Sequence, residues 1–175
     1  MKKLMMVAVA LAGAISFLSA QGMLSPSSSL PKVDGTVGAG EYQFTTEVSG
    51  MTIGATLGTD GKLYLSIKAA TAGWVALGVG GLKMDGSRLF LAYDTGAKQQ
   101  FDEQLGAGHT HGDRSDKVAE KWVVKATGGV TTLELVLPAS AALQGGKINL
   151  LYAYSDTTAY VHHKARGAMT LKVSS

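Results

Sequence analysis

The sequence predicts an all-β fold, an immunoglobulin-like sandwich of two antiparallel sheets with about nine strands. Apolar residues alternate with small or polar residues in several short segments, which is the period of a half-buried strand. Turn signals separate these segments, and the chain contains 23 glycines. No long segment has the period of an amphipathic helix. A closed barrel is the alternative arrangement of the same strands.

The predicted strands follow one another through most of the chain. In order, they cover residues 43–48, 51–57, 63–67, 73–79, 88–93, 121–126, 133–137, 147–154 and 169–173. Asp60-Gly61 and Gly128-Gly129 each separate two alternating runs and predict tight hairpins. Residues 138–143 predict a single helical turn.

The N-terminus has the pattern of a secretory signal peptide at residues 1–20. Lys2 and Lys3 precede an apolar run at 4–18, and Ser19-Ala20 gives a small-residue end. The apolar run is shorter than the roughly 18 to 20 residues that a membrane anchor needs. We therefore expect export to a periplasm or the cell exterior, with no transmembrane segment left after cleavage. Residues 21–31 predict a flexible lead-in, and residues 32–175 one sandwich domain.

Composition excludes several functional classes. The chain has no cysteine, which excludes disulfides, thiolate metal sites and covalent haem attachment. Without Lys2 and Lys3, the chain has 14 basic and 13 acidic residues. Its basic residues are scattered and form no stripe, so nucleic-acid binding is not predicted. No catalytic motif is present, so we expect a carrier or binding module and not an enzyme. Asp102 and Glu103 are interpreted as a solvated charged connector.

Three motifs in order resemble the DOMON superfamily and its carbohydrate-binding relatives. The first is Val33-Asp34-Gly35 followed by Gly40-Glu41-Tyr42. The second is GWVALGVGGLKMDGSRLFLAY at 73–93, and the third is HHKARG at 162–167. The resemblance covers nearly the whole mature chain.

Many DOMON domains are extracytoplasmic b-type cytochromes, so the resemblance implies non-covalent haem b. The resemblance implies that Met84 and His163 are the two axial ligands of the haem. The family places a histidine four residues before the closing glycine, which corresponds to His163 and Gly167 here. Trp74 could line the haem slot, although a core position is the simpler expectation. Arg166 could pair with a haem propionate, with a surface ion pair as the alternative. The implied function is a one-electron carrier with a redox partner protein or a small-molecule donor or acceptor.

The residues themselves are consistent with this chemistry. A thioether opposite an imidazole suits electron transfer and leaves no open iron position. Met84 lies in a glycine-rich loop, where a flat macrocycle can approach the backbone, although a methionine in a β domain is most often a core filler. His162 and His163 would point to opposite faces if extended, so only one can ligate. His162 is the substitute ligand.

Two further interpretations stay open at this point. His109 and His111 in GHTHGD could hold zinc or copper with Asp113 or Asp116. We favour a mobile polar loop that borders the ligand pocket, because glycines flank the pair.

The alternative function is a carbohydrate-binding module without haem. There Trp74, Trp122 or the tyrosines would stack on sugar rings. The haem interpretation is preferred because the chain is only 7% aromatic and Trp74 lies inside an apolar run.

Overall fold

The computed structural model describes residues 22–174, and the signal peptide predicted at 1–20 lies outside them. The described chain is built of β-strands and one short 3-10 turn at Ala139–Ala141. The strands are β1 Met23–Leu24, β2 Phe44–Val48, β3 Met51–Leu57, β4 Lys62–Ala69, β5 Val75–Val79, β6 Arg88–Asp94, β7 Gln99–Ala107, β8 Thr110–Asp113, β9 Lys121–Thr127, β10 Val130–Pro138, β11 Leu143–Gln144, β12 Lys147–Tyr154 and β13 Ala165–Val173. Across residues 22–174 no helix is long and apolar enough to cross a membrane.

The strands form two open sheets that pack face to face. The larger sheet has the order β1-β13-β12-β5-β6-β7-β8, with β11 paired to β12, and the smaller has the order β2-β3-β4-β10-β9. Neighbouring strands are antiparallel, except that β1 runs parallel to β13. The predicted two-sheet sandwich is confirmed, and the described strands do not close into a barrel.

The core lies between the sheets and follows from the period-two pattern. Ile53, Leu65 and Leu135 of the smaller sheet are fully buried, and so are Phe90 and Leu150 of the larger one. Alternate side chains of one strand point to opposite faces. The alternating apolar residues of each strand therefore meet those of the other sheet.

A buried carboxylate ties the chain before β2 to the smaller sheet. Glu134 is fully buried, and its Oε2 accepts hydrogen bonds from the backbone N–H groups of Asp34 (3.1 Å) and Gly35 (2.6 Å). Its Oε1 accepts a hydrogen bond from the Tyr42 hydroxyl at 2.7 Å. Burial raises the pKa of Tyr42, and the neighbouring Glu134 raises it further. Three donors compensate the cost of burying this carboxylate, and they link both halves of the first motif.

The lead-in differs from the prediction. Residues 22–31 are packed against the sandwich, because β1 pairs with β13 and Leu24 is fully buried in the core. The Ser27 N–H also donates to the Leu57 carbonyl at 2.8 Å. A two-residue strand is too short to show any periodicity, which is why the sequence suggested a flexible segment.

The strand count also differs, with thirteen strands in residues 22–174 where about nine were predicted. The largest omission is the β7–β8 hairpin, because β7 has the mostly polar sequence QQFDEQLGA. The interpretation of Asp102 and Glu103 as a solvated connector is wrong. Glu103 is 1% exposed and accepts hydrogen bonds from the Arg88 guanidinium and from the N–H groups of Val118 and Ala119. The predicted helical turn and both hairpin turns are confirmed.

Candidate functional site

The outer face of the larger sheet is apolar where a solvated face would be polar. Leu89 and Leu91 alternate with the core residues Phe90 and Ala92 on β6, so they point away from the core. They are nevertheless only 8% and 3% exposed. Leu151 of β12 continues the same surface across the sheet. Strands that are apolar on both faces are normally covered on both, so this face is built to be covered.

A cavity of about 770 Å³ lies over this apolar face, within the roughly 300 to 1,000 Å³ common for cofactor sites. The loop at 80–87 connects β5 to β6, and the loop at 155–164 connects β12 to β13. In the antiparallel pairing of β12 with β5, Tyr154 lies opposite Val75 and Leu150 opposite Val79. The two loops therefore border the cavity from opposite ends of β5.

Met84 lies half-buried in the first of these loops and lines the cavity. The fully buried Ser87 organises the loop. Its N–H donates to the Met84 carbonyl at 2.9 Å, and its hydroxyl donates to the Lys83 carbonyl at 2.5 Å. The same hydroxyl oxygen accepts the N–H of Gly81 at 3.2 Å. These bonds hold Met84 in one backbone arrangement.

The Met84 loop is also fastened to β7 through Gly106. The Gly86 N–H donates to the Gly106 carbonyl, and the Gly106 N–H donates to the Ser87 carbonyl, both at 2.9 Å. A Cβ atom on Gly106 would lie 1.9 Å from the Met84 carbonyl oxygen and 2.8 Å from Met84 Cγ. The close approach of the loop thus requires glycine at this position.

Trp74 anchors the second loop, which carries His162 and His163. Its backbone N–H donates to the Thr157 carbonyl and its carbonyl accepts the Ser155 N–H, both at 3.0 Å. Its indole Nε1 donates to the Ala159 carbonyl at 2.9 Å. Trp74 is 5% exposed and lines the cavity. Trp74 is thus buried, as a core position predicts, but it lies outside the main core cluster and on the cavity, as the alternative expectation has it.

All four histidines of the chain line this one cavity. His162 and His163 lie in the exposed loop after β12, so they do not alternate as strand residues would. His109 occupies the β7–β8 turn, and His111 lies in β8. Because Arg88 pairs with Leu105, β7 ends beside the start of β6. His109 and His111 therefore lie at the Met84 end of the cavity, and the other pair lies at the opposite end.

The GHTHGD segment is a hairpin and not the mobile loop that was favoured, since His111 pairs with Gly106 in the β7–β8 ladder. Its place at the border of the cavity is as expected. Within residues 22–174, no three histidine, aspartate or glutamate side chains are grouped closely enough to hold a metal ion. The zinc or copper interpretation, which needed such a group, is therefore wrong for the described residues.

Arg166 lines the cavity from β13. It forms none of the ion pairs among residues 22–174, so the surface ion pair weighed from the sequence is not formed there. The next residue, Gly167, faces the core side, where an added Cβ would lie 2.4 Å from the Tyr152 hydroxyl. Arg166 thus provides a cation at the cavity, and Gly167 leaves room for the side chain of Tyr152 on the core side.

Sequence reasoning missed the floor of the cavity and the hairpin beside it. The apolar floor had a readable signal, because β6 and β12 contain the continuous apolar runs LFLAY and LLYAY in place of alternating ones. Two exposed apolar residues at the cavity border, Leu82 (51%) and Val161 (69%), had no such signal. Their exposure beside an apolar floor is typical of a binding surface.

No protein-family model and no curated protein sequence matches the chain. Nine chains of solved structures are similar to it, among them two cytochrome domains. One is the cytochrome b domain of pyranose dehydrogenase from Coprinopsis cinerea, with 12% identity, a TM-score of 0.56, and coverage of 70% of this chain and 76% of that one. The other is the cytochrome domain of Myriococcum thermophilum cellobiose dehydrogenase, with 12% identity, a TM-score of 0.57, and coverage of 85% and 90%. At 12% identity the likeness is one of fold, and in the fold it agrees with the resemblance: this chain has the sandwich of these two cytochrome b domains.

Proposed function

We propose that this chain is a haem b-binding electron-transfer domain with Met84 and His163 as the axial ligands. One observation supports the proposal above all others. The thioether and the imidazole line the same apolar cavity, and their loops lie at opposite ends of the sheet face beneath it. Two ligands on opposite sides of a flat macrocycle require such an arrangement.

The chemistry of the cavity fits non-covalent haem. Leu89, Leu91 and Leu151 give an apolar surface for the macrocycle, and the chain has no cysteine for thioether links. Arg166 and Lys83 are exposed cations at the border, where propionates would remain solvated. A guanidinium matches a carboxylate in geometry and charge. Arg166 is therefore the proposed propionate partner, and Trp74 is proposed to line the haem and hold the His163 loop.

Bound haem would supply one-electron chemistry at its iron. A methionine and a histidine together fill both axial positions and raise the reduction potential, which suits a carrier and not a catalyst. The apolar floor would exclude water from the iron. We infer that the domain is exported and exchanges electrons with a redox partner protein or a small molecule.

Haem titration of the purified protein tests this proposal. We expect a low-spin visible spectrum with a sharp α band on reduction, and a weak near-infrared sulfur-to-iron band in the oxidised form. Met84→Ala removes the sulfur band, and His163→Ala removes the low-spin spectrum. Met23→Ala is the matched methionine control, because Met23 is 64% exposed in β1 and does not line the cavity. His162→Ala controls for His163 and leaves the spectrum unchanged.

A protein that takes up no haem while its circular dichroism shows intact sheets would refute the proposal. Carbohydrate binding would then be the remaining function, tested by calorimetric titration with oligosaccharides. Of the two tryptophans, only Trp122, which is 37% exposed, leaves a ring face open for that alternative. Trp74 is buried, and one face of Trp122 is covered by Phe101, with ring centroids 4.7 Å apart and planes inclined by 8°.

A further inference from the structure

His111 is held differently from the other three histidines. It is half-buried, whereas His109, His162 and His163 are exposed. Its Nδ1 is hydrogen-bonded to Gln104 Oε1, and an amide oxygen can only accept, so Nδ1 carries the proton. The amide orientation is fixed in turn, because Gln104 Nε2 donates to Asp113 Oδ1 at 3.2 Å. In the neutral form of the His111 ring, the lone pair is therefore on Nε2.

That arrangement is typical of a metal-binding histidine. Ligating histidines almost always donate their other ring N–H to a carbonyl, carboxylate or water, which fixes the tautomer and raises the basicity of the ligating nitrogen. Among residues 22–174, no such hydrogen bond is made by the ring nitrogens of His109, His162 or His163. Of the four cavity histidines, His111 alone has a prepared donor nitrogen.

The β7–β8 register places His111 beside Met84. His111 lies directly opposite Gly106, and side chains opposite one another leave the same face of the sheet about 5 Å apart. On that face, a Cβ at Gly106 would point at the Met84 backbone and Cγ. Asp85, the residue after Met84, also accepts the Gly108 N–H at 2.8 Å. An imidazole and a thioether therefore line the same end of the cavity.

We propose that His111 is a reserve axial ligand that competes with Met84 for the same coordination position. This inference rests on the proposed haem function. In the exchange, the bond between iron and the Met84 sulfur breaks and a bond between iron and His111 Nε2 forms. No electron is transferred, and the neutral tautomer with its proton on Nδ1 binds through Nε2 without losing a proton. The domain can thus pass from methionine/histidine to bis-histidine ligation, which lowers its reduction potential, since methionine is the ligand that raises it.

The test uses the haem-loaded protein and compares Met84→Ala with the double variant Met84→Ala/His111→Ala. We expect the single variant to stay low-spin in electron paramagnetic resonance and visible spectra, with its sulfur band lost and its midpoint potential lowered. The double variant becomes high-spin. Met84→Ala/His109→Ala is the matched control and stays low-spin, because His109 lies exposed in the same hairpin without a ring hydrogen bond. Circular dichroism verifies that each variant is folded.

Either of two results would overturn the inference: a high-spin Met84→Ala protein, or a double variant that keeps its low-spin spectrum. Both are distinct from failure of the proposed function. That failure appears in the unsubstituted protein, which would then take up no haem or would lack the sulfur band. Loss of the sulfur band on His111→Ala alone would also contradict the inference, because a reserve ligand leaves the Met84 bond intact.

Discussion

Gly106→Ala places a methyl group in space that the Met84 loop occupies. The new Cβ would lie 1.9 Å from the Met84 carbonyl oxygen, 2.6 Å from its carbonyl carbon and 2.8 Å from Cγ. Two of these atoms are backbone, so a side-chain rotation cannot relieve the contact. Because Gly106 is joined to the loop by two hydrogen bonds at 2.9 Å, any displacement also weakens those bonds.

This substitution should lower the stability of the fold and displace the Met84 side chain. Restoring an ordinary carbon–oxygen contact near 3.4 Å moves the Met84 carbonyl by roughly 1.5 Å. Overpacking costs about 1–3 kcal/mol, and a hydrogen bond contributes about 1 kcal/mol. We therefore expect the free energy of unfolding to fall by about 2–4 kcal/mol. Metal–ligand distances tolerate changes on the order of 0.2 Å, so the Met84 sulfur would leave iron-bonding range.

Two assays measure these effects separately. Denaturant unfolding of the haem-free protein gives the change in stability. The near-infrared sulfur band of the haem-loaded protein reports the proposed bond between iron and the Met84 sulfur. Gly112→Ala is the matched control in the same hairpin, because an added Cβ there meets nothing within 4 Å. It should change stability by less than about 0.5 kcal/mol and keep the band. A Gly106→Ala protein that behaves like this control would show that the Met84 loop does not need glycine at position 106.

Three further substitutions test other parts of the structure. Tyr42→Phe leaves a buried carboxylate oxygen without its donor and should cost about 1–3 kcal/mol in denaturant unfolding. Burial raises the pKa of Tyr42 in the folded protein. The contribution of Tyr42 to stability is therefore complete below its unfolded pKa of about 10 and is lost as the pH rises through its folded pKa. The alkaline decline in the free energy of unfolding should thus be shallower in Tyr42→Phe. Trp74→Phe removes the 2.9 Å bond to the Ala159 carbonyl and should speed haem loss, measured by transfer to an apo acceptor protein; an unchanged rate would contradict the anchoring role. Arg166→Ala should weaken haem affinity about tenfold to a hundredfold, as expected for a charged hydrogen bond of about 1.5–3 kcal/mol. Lys164→Ala is the control and should leave the haem affinity unchanged, because Lys164 forms an ion pair with Asp156.

The sandwich could be predicted because its core depends on local alternation. Strands β3, β4 and β10 repeat apolar residues with period two, and that pattern determines which face is buried. Strand β7 could not be found in this way. Its inward-facing positions include the buried Glu103. The carboxylate of Glu103 can be buried there because it accepts hydrogen bonds from Arg88 and from the backbone N–H groups of residues 118–119. Such partners are distant in sequence, so a period-two test sees only a polar segment.

The candidate site was predictable in its outline and not in its details. The motifs around Met84 and His163 singled out both residues, and the structure has them lining one cavity. The distinction among the four histidines was not predictable. It depends on the β7–β8 register and on the Gln104 amide held by Asp113, and neither leaves a sequence signature. The sequence left two positions open for Trp74, because an apolar run does not reveal which face of the sheet each residue occupies.

The most direct test of the haem proposal is a crystal structure of the haem-loaded protein, with anomalous diffraction recorded at the iron absorption edge. We expect one iron peak over the apolar face of β5, β6 and β12, within bonding distance of the Met84 sulfur and a His163 ring nitrogen. An iron peak outside this cavity, or one inside it that is bonded to neither residue, would exclude Met84 and His163 as the ligands of a haem bound here.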